Sequence, residues 1–229
     1  TLTGPGGVGK TRLALAIAED AREHFADGLI WVDLAPLADP NAVTMAVISA
    51  LGITPYPQRP VLTTLTRDLA SRQVLLVLDN CEHVLSGAAS LTAALITACP
   101  ALQILTTSRS PLQVRGEQVW PVAPLPVPDL MASQEDVASN AAVRLFVERA
   151  RAARPEFTLS ARTCEPVAAL CRALDGLPLA IELAAARSAI LSPEALLAQM
   201  TDRLALLSDG PRDAPIRQQT MEAAIAWSY

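Results

Sequence analysis

Gly4-Pro5-Gly6-Gly7-Val8-Gly9-Lys10-Thr11 decides how this chain is read. The stretch matches GxxxxGK[ST] in full, and each residue type in it answers a demand that phosphate makes. Four of the ten glycines lie between positions 4 and 9, where a loop must curl its N–H groups around an anion with no side chains in the way. Lys10 is the only lysine, and the other seventeen of the 18 basic residues are arginine. A compact ammonium on a flexible stem reaches β- and γ-phosphate oxygens where the wide guanidinium fork fits poorly. A GC-rich bacterial genome would also make lysine scarce, so the flanks must decide. Thr1 to Thr3 read as the end of a strand, and Thr11 to Phe25 as a helix with Leu13, Ala14, Ile17, Ala18 and Ala21 on its apolar face. Strand, glycine loop and helix together aim a helix N-terminus at a phosphate. The expected nucleotide contacts are Gly4, Pro5, Gly6, Gly7, Val8, Gly9, Lys10, Thr11 and Arg12.

Composition narrows the rest. The 229 residues hold one large or two modest domains and enough apolar content for a core. The longest apolar runs, such as Val74 to Leu78, fall far short of the roughly 20 residues that span a bilayer, so no membrane partner is expected. Net charge is −5 and neither half is basic, which argues against this segment gripping a phosphate backbone. DNA is therefore expected as a partner only through modules outside it. The four cysteines show no CxxC pairing and only two histidines accompany them, a pattern that reads as buried reduced thiols in the cytoplasm. The abrupt start within a strand and an uncapped last helix suggest an excerpt from a longer polypeptide.

Apolar runs and helical stretches alternate through the first half, as in a parallel sheet with helices on both faces. Expected strands are Leu29 to Leu34, Val74 to Leu78, Gln103 to Thr107 and Gln118 to Val122. Expected helices are Asn41 to Leu51, capped near Asp39 or Asn41, Val61 to Ser71, and one near Ser90 to Cys99. Pro121, Pro124, Pro126 and Pro128 mark a boundary. Beyond it, helical spacing covers Ala141 to Ala153, Arg162 to Leu174, Pro178 to Ser188, Pro193 to Met200 and Gln218 to Ser228.

A phosphate loop needs Mg2+ and a polarised water before it can hydrolyse anything. Thr11 offers one oxygen ligand, and the buried run ending in Asp79 offers the second. Asn80 follows, where many ATPases place a second carboxylate as base, and an amide cannot serve. Glu82 is the nearest substitute, with a solvated residue in the first turn of the next helix as the competing reading. His83 reads as structural or exposed. If the Gln103 to Thr107 strand lies between the loop strand and the Asp79 strand, its end points at the γ-phosphate, and Arg109 there can sense that charge; otherwise it is a surface arginine at a turn. Gly176-Leu177-Pro178 is ordinary helix punctuation on its own.

Taken together, GPGGVGKTRLA at Gly4 to Ala14, LLVLDNCEH at Leu75 to His83, ILTTSR at Ile104 to Arg109, AVRLFVERA at Ala142 to Ala150 and GLPLAIELAA at Gly176 to Ala185 resemble the STAND class of signalling ATPases with an NB-ARC-type core. The branch in question is that of large bacterial regulators carrying LuxR-type or SARP-type DNA-binding modules. The resemblance implies an α/β, three-layer P-loop NTPase domain at 1–125, an all-α helical lid at 126–210, and the start of a winged-helix domain at 211–229. It implies that Lys10 and Thr11 hold phosphate and Mg2+, that Asp79 holds the metal, that Arg109 senses the γ-phosphate, and that Pro178 packs on adenine. The expected function is a slow ATP/ADP switch that self-associates in its ATP state. The alternatives are an AAA+ or initiator-type ATPase with fast turnover and a scaffold that holds ADP permanently.

Overall fold

The computed structural model describes residues 1–54 and 58–199. The helix expected at Gln218 to Ser228 and the segment 211–229 lie outside the described residues. Two compact units divide the chain: Thr1–Gly4 with Lys10–Val122, and Pro5–Gly9 with the chain from Ala123 onward.

In the first unit, strands β1 (Leu2–Thr3), β2 (Leu29–Asp33), β3 (Leu75–Asp79), β4 (Gln103–Ser108) and β5 (Trp120–Pro121) form one parallel sheet in the order β2-β3-β4-β1-β5. The order places β4 between the glycine-loop strand and the Asp79 strand, as the arginine argument requires. β3 is buried along its whole length because both faces are covered. Its alternate side chains part company accordingly. Leu75 and Val77 join Leu2, Ala14, Ala18 and Phe25 on the face of helix α1 (Lys10–Ala21). Leu76 and Leu78 join Val43, Val47, Leu65, Leu69, Leu91 and Leu95 on the other, carried by α2 (Val43–Ala50), α3 (Val61–Leu69) and α4 (Leu85–Ala98). Hydrophobic burial on both faces makes this strand the rigid platform on which its terminal Asp79 is carried.

Three expectations need correction. Helix α1 stops at Ala21, a 3-10 turn covers Arg22–His24, and Ile17 is 38% exposed. Ala14 and Ala18, one turn apart, are the residues pressed into the core, and Ile17 falls outside their stripe. Helix α4 begins at Leu85, earlier than expected, although Gly87 in its first turn weakens the helical signal. That glycine is required by proximity: a Cβ there would lie 2.0 Å from the Pro40 carbonyl oxygen. The last strand is only two residues long, matching its two-residue neighbour β1; the ladder bonds come from the N–H groups of Trp120 and Val122, so Pro121 sits at an edge position where no donor is required.

The second unit is helical: α5 (Gln134–Ser139), α6 (Ala141–Ala153), α7 (Ala161–Ala173), α8 (Pro178–Ala186) and α9 (Pro193–Ala198). Its core gathers Phe146, Leu170, Ile181, Leu183 and Leu196, with Phe146 edge-on to Phe157 at 6.0 Å between ring centroids. Asn140, Ser160 and Ser192 cap α6, α7 and α9. Helix α7 ends through Asp175 and Gly176, both at positive φ, and Pro178 starts α8 half-buried at its first position. The proline-rich stretch enters this unit by Leu125, whose N–H donates to the Gly176 carbonyl at 3.0 Å. All four cysteines are buried thiols. Burial pushes the Cys171 thiol up to about 12 and that of Cys81 up as well, which keeps both protonated and unreactive at neutral pH. Among the described residues no helix is long and apolar enough to cross a membrane.

The close approach at Gly87 gives a stability test. Gly87→Ala must push helix α4 from the Pro40 carbonyl, and overpacking of this kind costs about 1–3 kcal/mol. Urea denaturation should show that loss; an unchanged midpoint would mean the two segments separate without cost.

Candidate functional site

The glycine loop opens where β1 ends. Gly4, Gly7 and Gly9 all take positive φ, at 148°, 76° and 100°, so the backbone reverses repeatedly in conformations that side chains disfavour. A Cβ on Gly9 would meet nothing within 4 Å. Space is therefore not what selects glycine there; backbone conformation is. Val8 is buried and Pro5 exposed, while Gly6 is intermediate. Arg12 stands exposed on the first turn of α1.

Lys10 is 8% exposed, and its Nζ donates to the Gly4 carbonyl at 2.8 Å. Burial pushes its pKa below the usual lysine range, Glu82 pushes it up, Arg109 down, and Asp79 up. A phosphate brought to this ammonium would offset the burial, which is the electrostatic sense of a buried lysine behind a glycine loop.

Asp79 is the centre of the site. It is 2% exposed, and three side chains converge on its carboxylate. Thr11 Oγ1 donates to Oδ1 at 2.9 Å, Thr107 Oγ1 donates to the same oxygen, and Asn80 Nδ2 donates to Oδ2 at 2.8 Å. Thr107 also accepts from the Asn80 backbone N–H at 2.9 Å. Asn80 Nδ2 donates a second hydrogen bond, at 2.9 Å, to Asp33 Oδ1. The β2–β3 register makes this possible by setting Asp33 directly beside Asp79.

A hydroxyl and a carboxylate in contact are the hard oxygen donors that Mg2+ takes when it keeps several waters and binds chiefly through substrate phosphates. Among the described residues no cluster of three or more His, Cys, Asp or Glu side chains could hold a metal. Thr11 and Asp79 thus fit an ion of that kind and do not form an all-protein cage.

Glu82 and Arg109 come together at the edge of this cluster. Glu82 lies in a 3-10 turn, Cys81–His83, separate from the following helix, so it is not a residue of that helix's first turn. Arg109 follows directly on β4. Their side chains are 14% and 18% exposed, with Nε 3.6 Å from Oε1. His83 fixes the same turn, its Nε2 lying 2.9 Å from the Leu34 carbonyl. Pro178 belongs to the second unit.

Two contributors went unnoticed in the sequence. Thr107 appeared there only as the end of a strand, and Asn80 only as a missing base. A polar residue at the end of a strand beside an acid-tipped one was the available signal for Thr107. Thr107→Val keeps the shape but leaves the buried Asn80 N–H without its acceptor and removes a donor from Asp79. Such an unsatisfied group costs about 1–3 kcal/mol, to be read by urea denaturation. A cost near zero would mean that the hydroxyl is dispensable to the cluster.

Comparison with known proteins places this geometry. The family model described as an AAA domain matches residues 1–114. Over its full length the chain is 42% identical to a Mycobacterium tuberculosis protein named "Putative HTH-type transcriptional regulator", of which it spans 24%. It is 41% identical to a second protein of that organism, named as uncharacterized, and spans 56% of it. The chain therefore covers about a quarter to somewhat over half of these relatives. Among solved structures, one from Drosophila ORC bound to DNA shares the fold, with a TM-score of 0.56 at 14% identity, covering 90% of this chain and 58% of that one. The stretch that resembles this AAA-domain model runs from the strand before the glycine loop to just beyond Arg109, and so takes in the residues of the site assembled in the first unit.

Proposed function

We propose that this chain is the ATP/ADP switch of a transcriptional regulator, of the STAND class with an NB-ARC-type core. The observation that carries the reading is the hydrogen bond from Thr11 to the buried Asp79 in a site that also holds a buried Lys10. Lys10 neutralises β- and γ-phosphate oxygens, and the loop Gly4 to Gly9 wraps them with backbone N–H groups, with Arg12 beside it. Thr11 and Asp79 hold Mg2+, which when bound neutralises charge on the β- and γ-phosphates. Arg109 senses the γ-phosphate, and Pro178 packs on adenine. The domain plan remains 1–125 for the α/β part, 126–210 for the helical lid and 211–229 for a winged-helix start. Self-association in the ATP state, a cytoplasmic location and DNA contact through other parts of the protein complete the proposal; the regulator name of one relative supports the last point.

Glu82 is the proposed base. Water oxygen attacks the γ-phosphorus, the bond from that phosphorus to the β–γ bridging oxygen breaks, and a water proton passes to the Glu82 carboxylate, leaving ADP and inorganic phosphate. Asn80 cannot take that proton, so turnover falls well below the roughly 10 per second of a typical enzyme. Fast turnover would favour the AAA+ or initiator-type alternative, and permanent ADP with no turnover the scaffold.

Calorimetric titration of ADP and a non-hydrolysable ATP analogue tests the assignment. Lys10→Ala should weaken both by well over tenfold, since charge-assisted contacts contribute roughly 1.5–3 kcal/mol. Arg109→Ala should weaken only the ATP analogue, by about tenfold, or about 1.4 kcal/mol. Unchanged affinity in a folded Lys10→Ala protein would remove the nucleotide assignment, and equal losses in Arg109→Ala would remove the sensor.

A further inference from the structure

Glu82 and Arg109, given separate tasks above, occupy each other here. The carboxylate and guanidinium approach to 3.6 Å with little solvent around either. The second carboxylate oxygen, Oε2, is buried and accepts no hydrogen bond among the described residues. Both side chains act on the Lys10 ammonium, with opposite sign. Glu82, Arg109 and Lys10 are thus three poorly solvated groups whose charges act on one another.

We propose that the Glu82–Arg109 pair is a latch that couples the sensing of the third phosphate to the release of the base. The proposal rests on the nucleotide reading above and deepens it. With no third phosphate, Arg109 stays on Glu82, and the carboxylate is engaged by the guanidinium. A γ-phosphate offers the guanidinium a more highly charged partner. Arg109 moves to it, and Glu82 is left with uncompensated charge beside the reacting centre, able to accept the proton. Breaking the ion pair is then a cost charged to ATP and not to ADP, so the pair lowers the difference between the two affinities as well as gating the base.

This reverses the simplest expectation for the base. A residue acting only on water leaves ATP affinity intact when neutralised. In the latch, Glu82→Gln frees Arg109 beforehand and should tighten binding of a non-hydrolysable ATP analogue about fivefold, equivalent to about 1 kcal/mol, with ADP affinity within about twofold of the wild type. The gain should vanish when Glu82→Gln is introduced into Arg109→Ala, since no arginine remains to be freed. Titration of both nucleotides with Mg2+ into the full-length wild type, the two single variants and the double variant reads this directly. Glu82→Ala, checked like the others by thermal denaturation, provides a second route should the glutamine variant not fold. No selective gain for the ATP analogue, or an equal gain with and without Arg109, overturns the latch while leaving the nucleotide reading intact. Failure of the wild type to bind either nucleotide overturns both.

Discussion

A single carboxylate organises the first unit's site. Asp79 sits at the tip of a strand covered on both faces, where leaving a charge unpaired would be costly. The fold meets that cost with one donor from each of three places: Thr11 from the helix after the glycine loop, Thr107 from the neighbouring strand, and Asn80 from the following turn. Each of these donors is thereby fixed as well. The carboxylate consequently ties together the start of α1, the end of β4 and the turn that carries Glu82.

The long-range consequence runs through β4. Because β4 lies between β1 and β3, its end can supply Thr107 to the carboxylate and, two residues later, Arg109 to Glu82. Thr107 is 1% exposed and Arg109 is only partly shielded. The strand end thus grades from a fully buried contact to a mostly buried one. A side chain meant to exchange partners belongs at the second kind of position, and a side chain meant to hold a ligand in place belongs at the first.

Much of this was legible in the sequence, for a physical reason. Residues 4–11 and the run Val74 to Asp79 carry local signals, glycines at strained positions and an unbroken apolar strand, which need no tertiary information. The parallel sheet follows from such signals; the place of β4 between β1 and β3 entered the sequence reading only as a condition, which the strand order meets. Elements governed by contact were harder to read. Gly87 weakened the start of α4 for the sake of the Pro40 carbonyl, and Ile17 lost its place to the two alanines one turn apart. Helix α5 was missed although Ser133 and Asp136 form a reciprocal capping box whose spacing was visible. Six residues are too few for periodicity to announce a helix. The Glu82–Arg109 pair joins residues 27 positions apart, and nothing local in either motif points to the other.

Asn80 shows how a tertiary constraint can look like a catalytic loss. In the sequence it occupies the place of a second acid and removes a base. In the structure, the β2–β3 register sets Asp33 beside Asp79, and the Asn80 amide donates one hydrogen bond to each. A carboxylate at position 80 could donate to neither and would crowd a third negative charge against the other two. Its backbone, at φ 62°, is in the left-handed region, which asparagine tolerates better than most residues. Asparagine therefore meets two demands at once, a turn after the strand and a neutral donor between two acids. On the proposed reading the base comes from farther along the chain, where Glu82 in the next turn carries a carboxylate 3.6 Å from Arg109.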